Sequence, residues 1–426
     1  MDRPSFSQLN FPTKSSLTVL TDLEALNQVL SWFDSNRQPS MPPKDWLHCQ
    51  LALVEGFTNA VRHAHRNLAA DTPIELEVTF YSTRVELRIW DFGPPFDLEA
   101  RLKELLKKSE SQPDHYAGGG RGLILMRKIA DALSYTRFNN DRNCLFLVRN
   151  YIPNDVMTNY LVGAEGLAAC LNNPRIAIAD CRFSLADPSW GQHQYQQGHI
   201  PGAYYLDLDR DLSSPPSEDS GRHPLPDSDC LASLLTGMGI DDETLVVAYD
   251  DSNGAFAARF WWLLRYLGHD RVALLDGGWS AWVAGGYPTT ADVPAPRSGE
   301  FKANARSQWV VDREMVKKCK DLPGVVLIDS RDRDRFLGER EPIDPIAGHI
   351  PGAVNFPWRD ACDERGYFRS PAEQKQRWAQ LNPTDEMIVY CGSGVTACTN
   401  LWSMAVAGLN RAKLYPGGWS EWCTAE

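Results

Sequence analysis

Four things are missing from this 426-residue chain. No apolar stretch approaches the ~18 residues that a membrane-crossing helix needs. No basic segment followed by an apolar one opens the chain as a secretory signal would. No block of lysine and arginine offsets a formal charge of −12, which argues against general binding to nucleic acid or to an anionic membrane. The ten cysteines include no Cys-x-x-Cys pair and no cysteine–histidine cluster at zinc spacing, so neither a disulfide framework nor a structural zinc site is expected. Reduced thiols in a cytoplasmic protein fit these absences. What the chain does have is apolar mass, with 43% apolar residues and 14 tryptophans. At this length, that is enough for the cores of two to four domains.

Self-comparison divides the chain. Gly198-His199-Ile200-Pro201-Gly202-Ala203 recurs as Gly348-His349-Ile350-Pro351-Gly352-Ala353. Asp180-Cys181-Arg182 recurs as Asp329-Ser330-Arg331, each closing an apolar run, and Gly277-Gly278-Trp279 recurs as Gly417-Gly418-Trp419. The order is the same in both copies, which makes this a duplicated domain. Short β-branched runs such as Leu245–Tyr249 and Val272–Leu275 alternate with helical patterns such as Ala255–Leu267. Parallel-sheet α/β domains are therefore expected, with ligands beyond the C-terminal strand ends. The division is 1–152, then 153–290, then 308–426, and the Pro-, Ala- and Thr-rich stretch from Pro288 to Ser307 reads as a linker.

In the second copy an apolar run, Ile388-Val389-Tyr390, delivers Cys391 into the turn Gly392-Ser393-Gly394-Val395-Thr396, and a helical pattern follows from Thr399 to Leu409. Amides converging in such a turn, together with a helix N-terminus, favour thiolate over thiol. The first copy has Asp250 at the matching place. An aspartate cannot carry transferred sulfur, so that half is expected to be catalytically silent. Cys398, in the helix behind Cys391, reads as a packing residue that could also resolve a modified thiol.

With the paired Gly-His-Ile-Pro-Gly-Ala motifs, the Gly-Gly-Trp landmarks and the six-residue loop opened by Cys391, the two copies resemble a two-domain rhodanese-family sulfurtransferase. The resemblance implies that Cys391 takes up a sulfane sulfur as a persulfide, steadied by the amides of Gly392, Gly394, Val395 and Thr396, and passes it to a thiol or cyanide. No cofactor is implied for that step. The loop carries no basic residue, which is similar to the 3-mercaptopyruvate subfamily rather than the thiosulfate one. That subfamily implies a relay of Ser393, His223 and Asp209, with the histidine and aspartate coming from the first copy. It also implies two arginines for the substrate carboxylate. Arg335 fills the first place, but the second is Ile343, with Arg340 nearby. Thiosulfate as donor, and a persulfide or redox sensor without turnover, remain alternatives.

Residues 1–152 share none of these landmarks. Glu55, Asn59 and His63 stand at helical i, i+4 and i+8 spacing. A strand pair (Ile74–Phe80 and Arg84–Trp90) leads to Asp91-Phe92-Gly93, and a cluster from Gly118 to Gly122 opens another helix. Glycines at a helix start let amides approach phosphate, and a carboxylate beside an amide oxygen can hold Mg²⁺. A protein-kinase reading of Asp-Phe-Gly fails, because no Gly-rich loop, Val-Ala-Ile-Lys or His-Arg-Asp precedes it. In order, the pieces resemble the ATPase fold shared by gyrase and histidine kinases, in its short anti-sigma-factor serine kinase branch. The resemblance implies ATP with Mg²⁺, Glu55 as base, Asn59 on the metal, Asp91 and Gly93 at adenine, and Gly118, Gly120 and Gly122 at the phosphates. It implies as partner a small regulatory protein, anti-sigma-antagonist-like or sigma-factor-like. A domain that binds its partner without phosphotransfer is the alternative. The expected fold class is α/β throughout: an α/β sandwich of the histidine-kinase-like ATPase type, then two parallel-sheet rhodanese domains.

Overall fold

The computed structural model describes residues 12–111, 120–217 and 219–424. They fall into two compact units, Met1–Asp155 and Val156–Glu426. In the first, β1 (Thr13–Leu20), β2 (Pro73–Phe80), β3 (Arg84–Asp91), β4 (Ala132–Arg137) and β5 (Asn143–Asn150) form an antiparallel sheet in the order β1-β2-β3-β5-β4. Strand alternation buries Ile74, Leu76 and Val78 of β2 and Val85, Leu87 and Ile89 of β3. Helices α1 (Leu26–Ser35) and α2 (Pro43–Asn59) share one core with that face. In α2, Trp46, Cys49, Leu53, Gly56 and Phe57 recur at helical spacing and are buried. At Gly56 the helix lies so close to the sheet that a β-carbon would meet Ile89 and Leu145. The neighbouring residues Glu55 and Asn59 are thereby held at a fixed height above the sheet. A π-helical turn, Ala60–Ala64, continues α2; such local widening is frequent beside functional sites. Helices α3 (Leu98–Ser111) and α4 (Arg121–Ile129) complete the layer.

The second unit holds two parallel sheets. Strands β6 (Met157–Thr158), β7 (Leu161–Val162), β8 (Ile176–Asp180), β9 (Ala203–Tyr205), β10 (Leu245–Tyr249) and β11 (Val272–Leu275) run in the order β6-β7-β11-β10-β8-β9; only the β6–β7 pair is antiparallel. Strands β12 (Val325–Asp329), β13 (Val354–Asn355), β14 (Glu386–Tyr390) and β15 (Lys413–Leu414) repeat the arrangement as β13-β12-β14-β15. Asp250 follows the central strand β10 and Cys391 follows its counterpart β14, both at the C-terminal strand end where α/β sheets place ligands.

The repeated landmarks are one physical unit in each copy. Arg182 is paired with Asp180 inside the fold, donates to the Gly198 carbonyl at 2.7 Å, and lies 4.3 Å over the Trp279 ring. Arg331 does the same with Asp329, the Gly348 carbonyl at 2.6 Å, and Trp419 at 4.9 Å. A buried guanidinium needs several acceptors at once, which ties the three motifs together across the fold. His199 and His349 stack on Tyr195 and Phe336 and bond the carbonyls of those same residues, so they shape their turns.

The helices behind the two central strands, Ala257–Tyr266 and Ala397–Val406, belong to one core that spans both copies. The second begins two residues earlier and ends three earlier than its apolar pattern suggests, because the loop after Cys391 closes tightly. The Pro288–Ser307 stretch is not a free linker. Thr290 pairs with His199, Arg297 with Met238, and the Arg306 amide donates to the Tyr266 carbonyl, laying it along the first copy.

Candidate active site

The loop after β14 turns tightly. Gly394 takes a left-handed φ of +74°, and the helix starts at Ala397. Cys391 is buried, and its carbonyl accepts from the Trp419 amide at 2.8 Å. In the first copy the Asp250 carbonyl accepts from the Trp279 amide, also at 2.8 Å, which confirms the pairing of positions. That loop is one residue longer, with Gly254 (φ +79°) before a helix at Ala257.

The Asp250 carboxylate fills its own loop. Oδ1 accepts from the amides of Ser252 (2.8 Å) and Gly254 (2.9 Å), and Oδ2 from those of Phe256 and Ala257 (both 2.9 Å). Burial pushes the Asp250 pKa up, and those amides oppose the rise. In the first copy the strand–turn–helix is therefore an anion cradle occupied by its own side chain. Asp250→Ala leaves four buried donors unpaired and is expected to cost about 3–5 kcal/mol of stability. Chemical denaturation checks this; an unshifted midpoint would mean the carboxylate is not structural.

Ser393, His223 and Asp209 do come together. Ser393 Oγ lies 2.7 Å from His223 Nδ1, and His223 Nε2 lies 3.3 Å from Asp209 Oδ1. Asp209 can only accept when ionised, so Nε2 carries the hydrogen, and Nδ1 accepts from the Ser393 hydroxyl. Burial, then Arg259 and Arg222, lower the His223 pKa to about 4. Burial and Asp207 raise that of Asp209. Beneath the loop lies Arg259, a fully buried cation from the first copy. It donates to the carbonyls of Gly394 (3.2 Å) and of Leu212, His223 and Pro224 (3.3–3.4 Å), tying the cysteine loop to the histidine loop. The Cys398 thiol donates to the Gly394 carbonyl at 3.4 Å, and burial pushes its pKa up to about 12, which makes it a core residue. Val395 is likewise packed into the core.

The loop's own residues are uncharged, but the site is not. Two guanidiniums reach it from outside, Arg335 and, from the first copy, Arg222. Nothing in the sequence near Cys391 marks Arg222 or Arg259, because both belong to the other repeat.

In the first unit, Glu55, Asn59, Asp91, Gly120, Gly122 and Tyr135 line one cavity of about 700 Å³. The Asn59 amide nitrogen is buried with no partner among the described residues, and Gly122 lies so close to the Glu55 carboxylate that a β-carbon could not fit. The orphaned Asn59 N–H donor beside a carboxylate, facing a helix start, can donate to a phosphate oxygen, and the oxygen of the same amide is the atom that could ligate Mg²⁺, so the residues fit a nucleotide with its metal. Asp91 Oδ1 accepts from Gly93 N (2.8 Å), Asn143 Nδ2 (2.9 Å) and Tyr135, whereas among the described residues Oδ2 meets only the Tyr135 hydroxyl at 2.8 Å. His65 accepts from the Phe92 amide through Nε2 (2.8 Å), so its Nδ1 holds the hydrogen and faces Thr21 at 2.7 Å. This neutral tautomer agrees with a pKa lowered by burial. Gly118 lies outside the described residues.

The fold and site define a duplicated α/β protein with a cysteine-bearing strand–turn–helix loop in its second copy, joined to an ATPase-type sandwich. The sequence matches the histidine kinase-like ATPase domain over residues 19–149 and the rhodanese-like domain over 164–285 and 312–425. The chain belongs to the rhodanese family. It is 47% identical over 269 residues to a Pseudomonas aeruginosa protein bearing the name 3-mercaptopyruvate sulfurtransferase, covering 62% of this chain and 95% of that one. It is 38% identical over 267 residues to SseB of Mycobacterium tuberculosis, which bears the name thiosulfate sulfurtransferase, covering 62% and 93%. The crystal structure of SseA from Escherichia coli, a 3-mercaptopyruvate enzyme with the rhodanese fold, superposes with a TM-score of 0.55 at 31% identity, over 62% of this chain and all of that one. Among the described residues no helix is long and apolar enough to cross a membrane.

Proposed function

We propose that the chain transfers sulfur from 3-mercaptopyruvate through Cys391, which carries it as sulfane sulfur, to a thiol or to cyanide. The Cys391 thiolate attacks the donor sulfur, and the carbon–sulfur bond breaks with its electron pair passing to carbon. Protonation there yields pyruvate and leaves a Cys391 persulfide. An acceptor thiolate or cyanide then attacks the outer sulfur and frees the cysteine. The observation that carries this reading is the Asp250 carboxylate seated on four amides, because the matching strand–turn–helix, one residue shorter, would offer its amides to a persulfide anion on Cys391. Ser393, bonded to a neutral His223, stands where it can polarise a keto group or pass a proton, a role typically worth ~10²–10⁴-fold. A donor comparison tests the subtype: pyruvate release from mercaptopyruvate should exceed thiocyanate formation from thiosulfate and cyanide. The two guanidiniums at the loop favour thiosulfate as the second reading, and the opposite ranking would select it.

For the first unit we propose ATP binding with phosphotransfer to serine or threonine of a small regulatory protein. Glu55 would act as base, Asn59 would hold the Mg²⁺ that neutralises phosphate charge, Asp91 Oδ2 would accept from the adenine amino group, and Gly120 and Gly122 would offer amides. Asp91→Asn is expected to weaken ATP binding about tenfold to a hundredfold, as loss of a charge-assisted hydrogen bond does. Calorimetric titration with Mg–ATP reads this, and unchanged affinity would remove Asp91 from the adenine site.

A further inference from the structure

Where the family pattern has a second arginine, this chain has Ile343, whose side chain is 45% exposed. Its neighbour Arg340 turns outward to Asp334 at 2.5 Å. Neither can meet a ligand beside Cys391 with positive charge. Arg222 does so from the other repeat. Its backbone amide donates to Ser420 Oγ at 3.2 Å, and Gly221 before it packs against the Gly417 backbone where no β-carbon would fit. The His223 loop is thus seated directly on the Gly-Gly-Trp turn of the second copy.

Two buried carboxylates aim the cations. Asp344 pairs with Arg222 and also takes Arg335 Nη2 at 3.1 Å. Glu341 accepts Arg335 Nη2 at 2.6 Å and Nε at 3.2 Å. Glu341 and Asp344 are only 4% and 2% exposed, while Arg222 keeps 30%. Acceptors are thus provided for part of each guanidinium, and among the described residues none meets Arg222 Nη2 or Arg335 Nη1. Both groups overhang the residue after Cys391. A β-carbon on Gly392 would lie 2.8 Å from Arg222 Nη2 and 3.9 Å from Arg335 Nη1. Any side chain at 392 would block the gap between the cations and the loop.

We infer that Arg222 and Arg335 together bind the carboxylate of a 2-keto-3-thiol acid over Gly392, Arg222 supplying from the first repeat the arginine that Ile343 does not. The inference rests on the donor assignment above. Planar guanidiniums recognise a carboxylate through paired, charge-assisted hydrogen bonds. In such an acid the keto carbon joins the carboxylate to the thiol-bearing carbon. A carboxylate held over Gly392 leaves the sulfur within reach of Cys391 and the keto oxygen toward Ser393.

The test compares 3-mercaptopyruvate with mercaptoacetone, which keeps the keto and thiol groups but lacks the carboxylate, in the full-length wild type, Arg222→Gln and Arg222→Lys. Arg222→Gln should raise KM for mercaptopyruvate about tenfold to a hundredfold and shrink the preference over mercaptoacetone by a similar factor. Arg222→Lys, which keeps the charge without the fork, should recover only part of that preference. An unmoved KM, or an equal loss with both donors, overturns the inference, since the latter means that Arg222 acts only through loop structure. Wild-type protein that releases no pyruvate from mercaptopyruvate overturns the donor assignment itself; normal release with an unmoved KM in Arg222→Gln overturns this inference alone.

Discussion

Cys391→Ser is expected to lower sulfur transfer from any donor by about 10⁴- to 10⁶-fold, the scale on which loss of a covalent nucleophile acts. The serine oxygen fits the same buried place, so the fold should persist. What disappears is the ability to form a sulfur–sulfur bond and then release it. Mass spectrometry after donor and no acceptor should find one added sulfur on the wild type and none on the variant. Residual transfer by Cys391→Ser would mean another thiol carries the sulfur. Cys398 is the neighbour to examine, but its thiol is fully buried and protonated at neutral pH. Wild type that is sulfurated yet releases no sulfide with excess thiol would select the sensor reading over turnover.

His223→Gln is expected to lower kcat by about 10²- to 10⁴-fold with mercaptopyruvate, because it removes the acceptor of the Ser393 proton. Its pH signature separates this from a packing defect. His223 must be neutral to accept, and in the folded protein it stays neutral down to about 4. Asp209, pushed up by burial and Asp207, loses its charge at higher pH than an ordinary aspartate. The acid limb of kcat/KM should therefore lie well below the ~6.5 of an ordinary histidine, as a composite of the two groups. Stability follows the same sign. The folded pKa of His223 is depressed, so its contribution is complete above ~6.5 and is lost as pH falls toward the folded value, by roughly 3 kcal/mol at most. In His223→Gln that share of acid sensitivity should vanish. An acid limb and kcat unchanged in the variant would exclude His223 from the chemistry.

Much of this site is legible without coordinates because its parts are local. Strand, turn and helix around Cys391 occupy one continuous segment, so their order alone places a thiol in the turn between a strand end and a helix start. Glu55 and Asn59 share a helix face by period, and the landmark motifs announce two copies of one fold. The boundaries shift by two or three residues because apolar period does not register a loop's closure. The cysteine loop carries no basic residue, and Arg335 reaches Gly392 from the place that the resemblance implies. The sequence does not foretell Arg222, because it belongs to the other repeat and charge acts through space.

What the sequence by itself determined is the layout: a cysteine in a strand–turn–helix loop, an aspartate at the matching place of the other copy, and an ATPase-type domain ahead of them. Tertiary structure alone decided how that cysteine is served. It brought His223 to Ser393, slid Arg259 beneath the loop, and hung Arg222 over Gly392. Each depends on how two repeats pack face to face. A contact between residues distant in the chain leaves no local pattern, because burial and electrostatics depend on positions in space and not on order along the backbone.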